Sequence, residues 1–75
     1  MSRLVLIKAA GLEKILLKLG FERKRQKGSH VSYRHPDGRA TTVPFHSGKD
    51  IPRKLLRRIL KQADISIDEY NEFIQ

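Results

Sequence analysis

With 75 residues and no cysteine, the chain has the size of one domain, residues 1–75, and can have neither a disulfide framework nor a thiolate metal site. Its 16 Lys and Arg residues against 8 Asp and Glu residues give a net charge of +8, which favours a polyanionic partner and nucleic acid above all. The apolar run at residues 4–7 is too short for a signal peptide or a membrane span, so we expect a cytoplasmic protein without membrane contact. The three histidines have no partners at metal-ligand spacing, so we expect no metal site.

Residues 9–19 have the pattern of an amphipathic helix. Apolar side chains recur at spacings of three and four residues, at Leu12, Ile15, Leu16 and Leu19. Gly20 follows, and glycine readily takes the left-handed backbone conformation with which many helices end. The first helix is therefore expected to end there.

Three short antiparallel strands are predicted next, over residues 21–26, 29–35 and 39–45. Lys27-Gly28 should form the first turn and Pro36-Asp37-Gly38 the second, because these residue types favour turns. The first strand is polar and is placed mainly by its neighbours. Together the three segments predict a meander.

Two helices are predicted in the last third of the chain. Proline suits a first helical turn, so the second helix should begin near Pro52 and end at about Gln62. Ser66 followed by Glu69 has the form of a capping box, which predicts a short last helix through Phe73. The order α-β-β-β-α-α predicts an α+β fold in which one face of the three-stranded sheet carries the two main helices.

Alternation along the second strand divides its side chains into two sets, because successive residues point to opposite faces. Val31 and Tyr33 are apolar and should face the helices, together with His35. The set expected on the open face of the sheet comprises His30, Ser32 and Arg34.

The third strand should alternate in the same way. Val43 and Phe45 are apolar and are expected to face inward. The outward set comprises Thr42, Pro44 and, if the alternation continues past the proline, His46.

A histidine on an exposed, basic sheet face suits the cleavage of RNA. Imidazole titrates near neutral pH, so His30 could take or give a proton. RNA supplies its own nucleophile, the 2′-hydroxyl, and a nearby arginine or lysine can stabilise the charge on the phosphate without a metal. Taken alone, a surface histidine more often has no role, and this alternative applies still more to His35 and His46.

The basic residues are concentrated in the middle of the chain. Residues 21–61 hold twelve basic and three acidic side chains. The second helix contributes Arg53, Lys54, Arg57, Arg58 and Lys61. These side chains either contact phosphates or form a solvated surface, and phosphate contact is favoured because solvated helices usually mix charges of both signs.

Several short motifs resemble, in their order and spacing, the HicA family of toxin–antitoxin ribonucleases. They are Leu19-Gly20-Phe21, Gln26-Lys27-Gly28-Ser29-His30, His35-Pro36-Asp37-Gly38-Arg39, residues 42–49 and residues 56–66. The resemblance implies a double-stranded-RNA-binding-like fold, cleavage of mRNA that arrests translation, and a HicB-type antitoxin as partner. It further implies that His30, in the Gly-Ser-His motif, is catalytic and that His46 is structural or auxiliary.

The sequence thus predicts a metal-independent endoribonuclease without a cofactor, in which His30 is the general base or acid and its partner in proton transfer is not identified. The residues expected to bind RNA are Lys27, Gly28, Ser29, Arg34, Arg53, Lys54, Arg57 and Arg58. A non-catalytic double-stranded-RNA-binding module would use the same fold and charge. A protein-interaction domain is a third possibility, and it would lack the salt-sensitive RNA affinity of the other two.

Overall fold

The computed structural model of the chain describes residues 3–74 and has three helices and three strands in the predicted order. The elements are α1 (Ala9–Lys18), β1 (Glu22–Lys27), β2 (His30–Arg34), β3 (Ala40–Pro44), α2 (Arg53–Gln62) and α3 (Ile67–Ile74). The strands form one antiparallel sheet in the order β1-β2-β3. The predicted α+β fold, of the double-stranded-RNA-binding-like type, is confirmed.

Helix α1 ends as the sequence predicts, with a glycine in the left-handed region. Gly20 has φ +97°, its N–H donates to the Leu17 carbonyl at 3.1 Å, and the Phe21 N–H donates to the Leu16 carbonyl at 3.0 Å. This pair of hydrogen bonds satisfies carbonyls that the helix itself leaves free. A Cβ at Gly20 would also lie 2.9 Å from Nε2 of His35, so the position has no room for a side chain.

The three helices are short, with eight to ten residues each. Pro52 immediately precedes α2, and the Ser66 hydroxyl accepts a hydrogen bond from the Glu69 N–H at 3.0 Å at the start of α3. The serine hydrogen bond of the predicted capping box is therefore present. Within residues 3–74, no helix has the length and apolar character that crossing a membrane requires.

The first turn of the meander lies one residue later than predicted. Lys27 belongs to β1 and pairs with His30, so the turn consists of Gly28 and Ser29. Gly28 has φ +59°, a conformation that two-residue hairpin turns require and that glycine adopts without steric cost. The shift moves Lys27 from the turn into the sheet.

The core lies between one face of the sheet and the helices. Val31, Tyr33 and Val43 are buried as predicted, and the buried side chains of α1 and α2 belong to the same cluster. Phe45 is partly buried and packs against this cluster. Pro44 pairs with His30 and so shares its side of the sheet, yet it is buried. Its side of the sheet agrees with the expectation, and its burial shows that alternation gives the side of a residue but not what covers it.

The segment before α1 is attached to the C-terminal half of the chain. The Ile51 N–H donates to the Ile7 carbonyl at 2.9 Å, and the Tyr70 hydroxyl donates to the Val5 carbonyl. Burial raises the pKa of Tyr70 to about 12, so the phenol keeps its donor proton at physiological pH. The Tyr70 contact therefore attaches α3 to the N-terminal segment.

Candidate functional site

The candidate site lies on β2, the central strand, on the side of the sheet away from the core. His30 and Arg34 are exposed and Ser32 is half-buried, whereas Val31 and Tyr33 between them are buried. The predicted orientation of all five side chains is confirmed. Because β2 is paired on both sides, its backbone is fixed and His30 is presented from a rigid element.

The neighbouring strands bring further polar side chains to the same face. Residues directly opposite each other in an antiparallel pair point to the same side, with Cβ atoms about 4.5–5.5 Å apart. Lys27 of β1 lies opposite His30, which places a cation directly across the strand pair from the imidazole. Thr42 of β3 lies opposite Ser32. The sequence identified Lys27 as a site residue but placed it in a turn.

Arg25 also joins this face, and sequence reasoning missed it. It lies opposite Ser32, although the pairing shifts between Arg23 and Arg25. The residue pattern gives no sign of this irregularity, because every residue of β1 is polar and exposed. A basic triplet such as Arg23-Lys24-Arg25 shows that cations are present but not which face each of them takes.

On the inner face of the sheet, beneath the site, the buried Tyr33 makes a polar contact with α1. The Tyr33 hydroxyl donates to Oε1 of Glu13 at 2.6 Å, and Nε of Arg23 lies 3.2 Å from the same oxygen. Burial and the Glu13 carboxylate raise the pKa of Tyr33 well above its usual range, so the phenol remains a donor. This contact connects α1 to β1 and β2 directly under the exposed face.

His35 has a structural role. Its Nε2 lies 3.1 Å from the Leu19 carbonyl, and because a carbonyl can only accept, Nε2 carries the proton and donates. Nδ1 lies 3.1 Å from the Asp37 N–H, and the ring meets Phe21 edge-on at 5.1 Å. His35 therefore joins the end of α1 to the turn between β2 and β3. Its inward orientation, predicted from alternation, is confirmed.

His46 lies beyond the end of β3 and is exposed. The Phe45 N–H donates to the Ser29 carbonyl, so the chain entering His46 runs beside the turn that precedes His30. His46 lines a pocket of about 390 Å³ with Ser47, Gly48 and the first turn of α1. In the described part of the chain, no group of three or more His, Cys, Asp or Glu side chains could hold a metal ion.

Helix α2 presents its basic residues unequally. Lys54, Arg57 and Arg58 are exposed and make no ion pair with any of residues 3–74. Arg53 instead donates from Nη1 to the Leu4 carbonyl at 2.7 Å, which gives it a role in attaching the N-terminal segment. The sequence did not reveal this contact, because it joins residues 49 positions apart.

A groove of about 500 Å³ connects α2 with the strands that carry the site. Arg58 contributes to its wall from α2, and Ser32 and Thr42 contribute from β2 and β3. Arg57, the neighbouring residue, does not line it. The groove therefore distinguishes two arginines that the sequence pattern treats alike.

Comparison with known protein families finds one that matches most of the chain. A family model described as "HicA toxin of bacterial toxin-antitoxin" matches residues 9–65. The match runs from the start of α1 to just beyond α2 and includes His30 and every other residue of the site described above. No curated protein matches the chain.

Proposed function

The chain belongs to the HicA family of bacterial toxin–antitoxin toxins, and from that premise we propose that it is a metal-independent endoribonuclease that cleaves mRNA and arrests translation. The observation that carries the proposal is the placement of His30, exposed on the central strand with Lys27 directly opposite it. An imidazole with a cation directly across the strand pair suits cleavage by the RNA's own hydroxyl.

In the proposed reaction, the 2′-oxygen of a nucleotide attacks the adjacent phosphorus. The bond between phosphorus and the 5′-oxygen breaks, which leaves a 2′,3′-cyclic phosphate on one product and a 5′-hydroxyl on the other. His30 either removes the proton of the 2′-hydroxyl or protonates the departing 5′-oxygen, and the other of these two protons is exchanged with water. Lys27 and Arg34 stabilise the negative charge that builds on the phosphate oxygens.

The first test of this function uses cells. Induced expression of the chain should stop growth and reduce the amount of full-length mRNA, and co-expression of its antitoxin should reverse both effects. Growth arrest with intact mRNA would contradict the proposal. It would instead support the non-catalytic alternative, a module that binds structured RNA through the same basic surface.

We further propose that the antitoxin, of the HicB type, covers the His30 face with an acidic surface. A toxin–antitoxin family implies such a partner, and the exposed cations around His30 favour an acidic one, since complementary charge speeds encounter and burial of the site excludes RNA. Hydrogen exchange of the co-purified complex should show protection along β2 and at the turn that precedes it. Protection confined to α3, with β2 as in the free toxin, would contradict this proposal.

Basic residues on α2 should add to RNA affinity, with Arg58 contributing more than Arg57 because it lines the groove that reaches Ser32 and Thr42. Replacement of both arginines with glutamine should weaken binding and reduce the slope of log affinity against log salt by about 0.7 for each phosphate of single-stranded RNA that the protein no longer binds. Melting temperature should change little, since both side chains are exposed. An unchanged salt slope would mean that α2 presents only a solvated surface.

A further inference from the structure

Strand β1 contains a β-bulge that sends two nearby arginines to opposite sides of the sheet. Residues two apart in a regular strand share a face. Here Arg23 lies opposite Tyr33, on the core side, whereas Arg25 lies opposite Ser32, on the side of His30. Lys24 is the extra residue between them, and bulges of this kind redirect side chains near functional sites.

The two arginines are used differently. Arg23 makes an ion pair with Glu13 at 3.2 Å, and its guanidinium lies 5.7 Å from the centre of the Phe45 ring. Arg25 is exposed, and its side chain makes no hydrogen bond or ion pair with any of residues 3–74. The guanidinium of Arg23 is therefore engaged in contacts within the fold, whereas that of Arg25 is available to bind a ligand.

We infer that Arg25 binds the phosphate next to the one that is cleaved, and so fixes the position of the RNA strand over His30. This inference rests on the proposed ribonuclease function. Lys27 lies opposite His30, and Arg25 is two residues further along β1, a displacement of ~7 Å. That displacement lets the two cations contact successive phosphates of one strand instead of competing for the same one.

The guanidinium of Arg25 suits this role better than an ammonium would. Its planar array of donors can form two parallel hydrogen bonds to one phosphate, which fixes the orientation of the backbone as well as its position. Lys27, by contrast, is a compact charge beside the imidazole that can follow the phosphate as its charge develops. Arg25 is thus a positioning residue and takes no part in proton transfer.

The test compares Arg25→Gln with Arg23→Gln in the full-length protein, with a short single-stranded RNA oligonucleotide as the probe. For Arg25→Gln we expect KM to rise about tenfold with kcat nearly unchanged, as loss of uniform binding predicts, and the salt slope of affinity to fall by about 0.7. Its melting temperature should equal that of the unmodified protein. Arg23→Gln should lower the melting temperature and, assayed while folded, leave KM and the salt slope unchanged.

Arg25→Lys is the conservative variant. It should restore the salt slope, because the charge is kept, but only part of the KM, because a lysine cannot form the paired hydrogen bonds. An Arg25→Gln protein with the KM and salt slope of an active parent would overturn the inference and leave the ribonuclease function standing. A fall in melting temperature as large as that of Arg23→Gln would also overturn it, by making Arg25 structural. An unmodified protein that cleaves no RNA would overturn the proposed function itself.

Discussion

Replacement of His30 with alanine is expected to reduce RNA cleavage by about 10²–10⁴-fold, the usual contribution of a general acid or base. The protein should stay folded, because the side chain is exposed and its removal opens no cavity, so the free energy of unfolding should change by no more than ~0.5 kcal/mol. RNA affinity should persist, since the cations at Lys27, Arg25 and Arg34 remain. Thermal unfolding, RNA affinity and cleavage are measured on the same preparation.

The other two histidines are matched controls for this experiment. His46→Ala removes an exposed imidazole outside β2, and it should retain partial activity. His35→Ala removes the donor to the Leu19 carbonyl and should lower the melting temperature instead. Full cleavage by folded His30→Ala protein would rule out its catalytic role, and unfolding of that variant would make His30 a structural residue.

Replacement of Ile59 with alanine should have the largest effect on stability among the variants considered. Ile59 lies on the buried side of α2 and is 1% exposed, so the truncation should cost about 2–5 kcal/mol through reduced burial and the cavity that remains. Small domains have a total free energy of unfolding of only about 5–15 kcal/mol. The variant is therefore expected to be partly or fully unfolded at growth temperature, as urea or thermal unfolding would show.

Leu17→Ala is the control for the removal of an apolar side chain from a helix. Leu17 is on α1 but is 48% exposed, so its truncation should shift the free energy of unfolding by no more than ~0.5 kcal/mol. Equal destabilisation by the two variants would contradict the assignment of α2 as a core helix. A stable Ile59→Ala protein that no longer binds RNA would place Ile59 in the RNA interface instead.

Much of the fold could be predicted from the sequence, because local signals agree with tertiary packing. The apolar spacing of α1, the glycine at its end and the serine before α3 each depend on a few neighbouring residues, and the structure has all three. The orientation of His30 followed from Val31 and Tyr33, whose burial fixes the opposite side of the strand.

What could not be predicted depends on contacts between distant parts of the chain. Strand β1 has no alternating pattern, so neither its bulge nor the place of Arg25 beside Ser32 could be read from it. The hydrogen bond of Arg53 reaches a backbone carbonyl at Leu4, a group that every residue has and no sequence pattern identifies. Composition revealed a basic surface, but only the structure separates the cations used by the fold from those left free.

The central claim is that the chain cleaves RNA through the RNA's own 2′-hydroxyl, with the proton transferred by His30. The most direct measurement incubates the purified protein with a defined mRNA in excess chelator and identifies the chemical groups at the new ends. The account predicts unchanged cleavage, with 2′,3′-cyclic phosphate and 5′-hydroxyl ends, and no cleavage at a site carrying a single 2′-deoxynucleotide. RNA that is bound but left intact, or cleavage that persists at the 2′-deoxy site, would contradict it.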